Sequence, residues 1–235
     1  MAAVVAGMIG LMLAGAIWRL ARRQAGRKPL FGEMSGDIAG WLPLWGFGKA
    51  PLDAETGEPR VKWQAVFEIA TAVYFGVLGW RFGFSLELLM VICFSVPLLV
   101  IALVDFWTRL IHTNVIFLGV ALGWVFAAVD GGGSLLDSVF GMAVGAGIFI
   151  FFFVAAILIY RNIRVVPFGL GDVYLAAMIG AMVRIDLVMR ALLIGIFMAG
   201  IILAALLAAR VLSRKQAVAY GPYLCLGALI TLMLS

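Results

Sequence analysis

Apolar tracts of roughly membrane-spanning length make up most of this 235-residue chain. A bilayer core of about 30 Å requires roughly 20 consecutive apolar residues per helix. The tracts lie near residues 2–18, 64–80, 84–104, 114–129, 138–160, 169–183, 187–209 and 217–234. The chain has 65% hydrophobic and 12% charged residues, a composition that excludes an ordinary water-soluble domain. The sequence predicts an all-α polytopic membrane protein with about eight transmembrane helices.

The distribution of positive charge predicts how these helices are oriented. Loops on the cytoplasmic side of membrane proteins are rich in Lys and Arg. When the first loop is placed inside, only Arg81, Arg184 and Arg190 of the 17 Lys and Arg residues fall on the outer side. Both termini are therefore predicted to lie outside. The same asymmetry explains the net charge of +5, so no nucleic-acid partner is predicted.

The longest segment outside the apolar tracts is the inner-side loop at residues 19–62. It is too short and too often interrupted by Gly and Pro to form an ordinary independent domain. We therefore divide the chain into residues 1–62, the first transmembrane helix with its loop, and residues 63–235, a seven-helix membrane core.

Small residues within the tracts have structural interpretations. Gly141, Gly145 and Gly147 follow one another closely, which favours tight helix packing in lipid. Cys93 and Cys225 lie far apart in apolar tracts and are interpreted as small core residues. Two such cysteines predict neither a disulfide framework nor a cysteine-rich metal site.

Nine of the 12 acidic residues lie in the inner-side loop or at or near outer-side helix ends, which leaves Glu68, Asp105 and Asp172. An ionisable side chain at membrane depth costs about 2.5–3.5 kcal/mol even on a lenient scale, so each requires an explanation. Asp105 ends the third tract and Asp172 begins the sixth. In the predicted topology, both aspartates reach the inner membrane face.

Each aspartate has a structural and a functional interpretation. Asp105 can form an i,i+4 ion pair with Arg109, and Asp172 can cap a helix N-terminus. Alternatively, the two form a carboxylate dyad that shares a proton, in which one accepts a proton from water while the other donates to a scissile carbonyl. Gly169 and Gly171 lack β-carbons, which allows unusual dihedrals and close approach of a substrate backbone. The shared depth favours the dyad.

The segments around both aspartates resemble the type IV prepilin peptidase family, which comprises membrane aspartic proteases with a GxGD motif. Residues 169–180 are similar to the segment that contains this motif, and residues 102–111 resemble the segment of the first aspartate. Residues 220–227 are similar to the family's C-terminal Phe-Gly-Pro-Phe-Leu signature, and residues 63–83 resemble the segment after its cytoplasmic loop. The likeness extends over essentially the whole chain.

The resemblance implies an aspartic endopeptidase of the bacterial inner membrane. It would remove the leader from type IV prepilin or pseudopilin precursors at the cytoplasmic face, with Asp105 and Asp172 as catalytic residues and no cofactor. It also implies N-methylation of the new terminus with S-adenosylmethionine, in a region that includes Glu68. A structural alternative for Glu68 is a hydrogen-bonded or snorkelling residue near the interface.

The sequence departs from the family pattern at several positions. Tyr174 replaces a common Lys, and His112 with Thr113 replaces Pro followed by Asp or Asn. His112 is interpreted as structural or interfacial. Residues 19–62 lack the two CxxC pairs of many bacterial members, so no zinc is predicted. An apolar cluster is expected to keep the loop folded without metal, and it consists of Trp41, Leu42, Leu44, Trp45 and Phe47.

Two other functions would use the same aspartates. A presenilin-like intramembrane protease would share the GxGD aspartate, but the chain lacks the expected Pro-Ala-Leu segment near its C-terminus. A small proton- or ion-coupled transporter would use Asp105 and Asp172 as a relay. That function predicts helices broken near mid-membrane and repeat symmetry between halves, and the sequence shows neither.

Overall fold

The structure, a computed structural model, describes residues 1–25, 61–129, 135–159, 169–210 and 219–235. Its helices are α1 (Ala2–Ala25), α2 (Val61–Phe82), α3 (Leu86–Thr108), α4 (Thr113–Val129), α5 (Leu135–Ile159), α6 (Leu170–Ala208) and α7 (Gly221–Leu234). No strand occurs within these ranges. The all-α polytopic fold class is confirmed. Five helices, α1, α2, α3, α5 and α6, are long and apolar enough to cross a membrane, whereas α4 and α7 are shorter.

Helix α6 joins the two tracts that the sequence predicted at 169–183 and 187–209. Arg184 interrupts it with φ 63° and ψ 177°, values outside the helical region. The predicted turn between the two tracts is therefore a single residue rather than a loop, and α6 consists of two helical segments. The count of eight spanning helices stays a prediction, since five helices meet the length and composition required.

Packing divides the chain into two compact units, Met1–Ile92 and Cys93–Ser235. In the first unit, α1 packs antiparallel to α2. Gly10 lies against the Phe75 side chain, and Gly79 lies against Ala2 and Ala6 nearer the N-terminal end of α1. Since residues 26–60 lie outside the described ranges, the domain boundary predicted at residue 62 and the apolar loop cluster stay predictions.

In the second unit, the first segment of α6 is buried between neighbouring helices. Gly145 of α5 lies against the Ala176 carbonyl, and Gly123 of α4 lies against that of Ala181. These contacts confirm that glycine brings the helices close together. Gly147 is different, because among the described residues nothing lies within 4 Å of a β-carbon placed there, so its expected packing role stays a prediction.

The second segment of α6 packs against α7. Gly195 lies against the backbone of Leu224, and Gly227 lies against the Ala191 carbonyl and the Gly195 backbone. These pairs run in opposite sequence directions, so the two helices are antiparallel. The same packing holds α7 against α6.

Candidate active site

Asp105 lies in the last turn of α3 and is only 4% exposed. The helix ends just beyond it, where Arg109 adopts φ 54° in the left-handed region. The Arg109 N–H donates to the Asp105 carbonyl oxygen at 2.8 Å, and the Arg109 charge attracts the Asp105 carboxyl. The Oδ2 atom of Asp105 is buried without a hydrogen-bond partner. A buried carboxyl oxygen without a partner is unusual in native proteins and marks a candidate functional group.

Asp172 is the third residue of α6 and lies in its first turn. Its Oδ2 accepts a hydrogen bond of 3.1 Å from the Gly169 N–H, and its own N–H donates to the Gly169 carbonyl oxygen at 3.1 Å. Asp172 therefore does cap the N-terminus of α6, as the sequence suggested. It does so from the N3 position of a capping box, in which Gly169 is the N-cap residue. This arrangement fixes the Asp172 carboxyl at the helix end.

The two carboxyls lie within electrostatic range of one another, although α3 and α6 are separated in sequence by two helices. The structure thus brings together the pair that the sequence singled out. Two carboxyls at close range disfavour double ionisation, and a pair that shares one proton in this way has one member ready to accept a proton and the other ready to donate one. This is the property that general acid and general base catalysis by two carboxyls requires.

Sequence reasoning missed two residues of α7 at this site. Cys225 is completely buried and lies within electrostatic range of both Asp105 and Asp172. Gly221, the first residue of α7, lies against the Asp105 carboxyl. A signal was present in the Gly-Pro pair that opens the helix, with Cys225 one turn later on the same face. Hydropathy alone does not say which face of a uniformly apolar helix turns toward a site.

The glycines before Asp172 have ordinary backbone conformations. Gly169 has φ −96° and ψ 158°, an extended conformation that any residue adopts, and Gly171 is helical. The expectation of unusual dihedrals at these positions is wrong, because the capping box needs only an extended N-cap. Gly171 is instead closely packed, since a β-carbon there would lie 3.3 Å from Ile111. Close approach of a substrate backbone stays a prediction.

The residues between α3 and α4 have a structural role. The His112 carbonyl oxygen accepts hydrogen bonds from the N–H groups of Val115 and Ile116 at the start of α4. Its neighbour Ile111 supplies the side chain against Gly171. These contacts involve the His112 backbone, whereas its side-chain Nδ1 is buried without a hydrogen-bond partner among the described residues, so the structural interpretation of the imidazole stays a prediction. Tyr174, which replaces a common Lys, is half exposed.

Glu68 belongs to the first unit and is completely buried. Its Oε1 accepts a hydrogen bond of 2.9 Å from Gln64 Nε2, and the charge of Arg19 attracts it. The hydrogen-bonded alternative is therefore present, whereas snorkelling into the interface is not.

In the described part of the chain, His, Cys, Asp and Glu residues form no group of three that could hold a metal ion. The loop to which the zinc prediction applies lies largely outside that part.

Comparison with known proteins shows what the part of the chain that carries this pair is similar to. Residues 91–204 match the type IV leader peptidase family, and this range contains both Asp105 and Asp172. The match covers 114 of the 235 residues, and this part of the chain is similar to the type IV leader peptidase family. A relative is the prepilin leader peptidase/N-methyltransferase of Bacillus subtilis (strain 168), which is 27% identical over 164 residues. The aligned region is 69% of this chain and 62% of the relative.

The type IV leader peptidase match covers most of α3 and all of α4 and α5 but ends before α7. The chain spans 62% of the length of its Bacillus relative. No solved structure matches the chain. Gly221 and Cys225 lie outside the matched residues, and the geometry places them at the site.

Proposed function

We propose that this chain is an aspartic endopeptidase that removes the leader from type IV prepilin-like precursors at the cytoplasmic membrane face. The observation that carries the proposal is the approach of Asp105 and Asp172 from two separate helices to within electrostatic range. The similarity of residues 91–204 to the type IV leader peptidase family supports it. Because the chain covers only part of its relative, the activity, the precursor substrates and the location of both termini outside all belong to the proposal.

The reaction needs only water and the two carboxyls. The ionised member takes a proton from water, whose oxygen attacks the scissile carbonyl carbon, while the protonated member gives its proton to the carbonyl oxygen. In the tetrahedral intermediate the C–N bond then breaks. The carboxyl that took the water proton passes it to the leaving amine, and the other recovers its proton from the oxygen. The proton count of the dyad is unchanged at the end.

The site explains how such a dyad is prepared for this chemistry. The capping hydrogen bond from Gly169 holds one Asp172 oxygen, whereas Asp105 keeps a buried oxygen without a partner. A buried setting strengthens electrostatic interactions within the pair. The membrane embedding suits a substrate whose hydrophobic helix stays in lipid while the leader junction enters the site.

The direct test is to incubate the detergent-solubilised protein with a purified pilin precursor. Mass spectrometry should then show two products that meet at the leader junction. A precursor that remains intact under conditions in which the protein stays folded would contradict the proposal. Cleavage inside the hydrophobic helix, instead of at its cytoplasmic end, would favour the presenilin-like alternative.

We propose N-methylation of the new terminus as a separate second activity, prompted by the name of the Bacillus relative. The described residues do not fit a methyl-donor site around Glu68. Its side chain is completely buried, and Gln64 occupies Oε1, so no free carboxylate faces a ligand. A site for S-adenosylmethionine would therefore depend on other residues, and Glu68 is assigned no step.

A transporter remains the alternative of a different class. It predicts a helix broken near mid-membrane, and α6 is indeed interrupted at Arg184. The interruption falls in the short gap that the sequence predicted between two spans, next to the charged Asp186. This position is typical of a turn at the membrane surface rather than of a substrate site at the midplane.

A further inference from the structure

The first residue of α7 occupies a position where no side chain fits. A β-carbon added at Gly221 would lie 2.5 Å from Asp105 Oδ2, 3.0 Å from its Cγ and 3.3 Å from its Cβ. Real β-carbons essentially never approach another heavy atom more closely than 3.0 Å. Any larger residue at this position must therefore move the Asp105 carboxyl or the beginning of α7.

The atom that Gly221 approaches most closely is the unusual one in the site. Asp105 Oδ2 is the buried carboxyl oxygen without a hydrogen-bond partner, and leaving such an atom unsatisfied costs free energy. The backbone amide of Gly221 faces the same carboxyl. As a first-turn amide it has no acceptor within the helix, and it lies at the positive end of the helix dipole.

A second residue shows that this face of α7 is directed at the site. Cys225 follows Gly221 by four positions, which places both on one side of the helix. Its side chain is completely buried and lies within electrostatic range of both aspartates. The antiparallel packing of α7 on the second segment of α6, through Gly195 and Gly227, holds this face in place.

We propose that Gly221 is a positioning residue for Asp105 in the peptidase reaction, an inference that rests on the function proposed above. The missing side chain lets the N-terminal turn of α7 approach the carboxyl and hold it beside Asp172. The amide at the positive helix end stabilises the ionised form during the reaction. Gly221 acts through Asp105 and does not itself exchange a proton.

Disulfide trapping tests the geometry without using activity. In a chain with Cys93→Ala and Cys225→Ala, the pair Asp105→Cys with Gly221→Cys should oxidise readily, because disulfides join β-carbons about 3.5–4.5 Å apart. The control pair is Asp105→Cys with Gly200→Cys, since Gly200 has open space around it. Loss of both free thiols is counted with a maleimide reagent. No oxidation of the first pair, or equal oxidation of both, would overturn the proposal.

Kinetics then test the positioning role. Gly221→Ala should lower kcat about 10²-fold with little change in KM, the effect of displacing a catalytic group by about 1 Å. The two limbs of its pH–rate profile should move closer together, because a displaced Asp105 couples less strongly to Asp172. Gly200→Ala should retain the activity and the profile of the unchanged protein.

An unchanged kcat for Gly221→Ala, or a reduced kcat with an unmoved pH profile, would overturn the positioning role. If Gly221→Ala does not fold, the disulfide result decides the proposal. If the unchanged protein cleaves no precursor, the proposed function fails, and the trapping result shows separately whether α7 holds Asp105.

Discussion

The Ser138 hydroxyl of α5 donates a hydrogen bond of 2.6 Å to the Ala181 carbonyl oxygen of α6, and both groups are buried. In an uninterrupted helix this carbonyl would accept from the N–H four residues later. Arg184 leaves the helical conformation within that interval. The hydroxyl of one helix thus satisfies a carbonyl at the interruption of another, and it joins α5 to the segment that carries Asp172.

Ser138→Ala is expected to destabilise the protein because it removes the hydrogen bond that the buried Ala181 carbonyl accepts from Ser138. The loss of one such bond costs about 0.5–1.5 kcal/mol. Thermal unfolding in detergent, followed by circular dichroism, measures the loss. Ser235→Ala is the control, since its hydroxyl bonds the Leu232 carbonyl at the end of α7, where the backbone is partly exposed. Equal midpoints for the two variants would contradict the expected role of Ser138.

Replacing Gly145 by Ala should disrupt the packing of α5 on α6. A β-carbon there meets the Ala176 carbonyl, which belongs to the helix backbone and cannot rotate away. Overpacking of this kind typically costs about 1–3 kcal/mol. Gly147→Ala is a matched control two residues along the same helix, because its β-carbon would enter open space. We expect a lower unfolding midpoint for Gly145→Ala only, and a similar fall in both variants would argue against the packing described.

Hydropathy predicts where the helices lie because burial in lipid demands long apolar tracts. It also places Asp105 and Asp172 at helix ends, where their carboxyls can meet. It does not predict that Arg184 and Arg109 adopt positive φ, since glycine is the residue expected in that region. It could not identify Gly221 or Cys225 either, because α7 is apolar on all sides and gives no sign of which face is inside.

Asp105→Asn and Asp172→Asn should each abolish leader cleavage while the protein still inserts and folds. Each substitution removes one partner in proton transfer, a role that typically contributes about 10²–10⁴-fold in rate. Cleavage of a pilin precursor on a gel, with membrane-fraction immunoblots for expression, gives the measurement. Asp186→Asn is the control, since this exposed carboxylate lies on the same helix as Asp172. Near-normal cleavage by either dyad variant would contradict the catalytic assignment of Asp105 and Asp172.

The predicted orientation can be measured by cysteine labelling in a chain that lacks Cys93 and Cys225. With 14 of the 17 Lys and Arg residues assigned to the inner side, a probe at Gly132→Cys should react with an impermeant maleimide in intact cells. A probe at Pro51→Cys should react only after the membrane is opened. The reverse pattern would place the dyad on the face opposite to a cytoplasmic leader junction.

The substitution Glu68→Gln tests whether Glu68 contributes to stability or takes part in methyl transfer. Because Glu68 is buried against Gln64 and within reach of the Arg19 charge, we expect the substitution to act on stability. The neutral amide loses the attraction to the Arg19 charge but retains part of the hydrogen bonding, so the unfolding midpoint should fall. Mass spectrometry of the processed pilin then shows whether its new terminus carries a methyl group. A variant with an unchanged unfolding midpoint and normal cleavage, but with the methyl group missing, would show instead that Glu68 takes part in methyl transfer. A terminus without the methyl group from the unchanged protein, with leader removal complete, would show that the chain is a peptidase only.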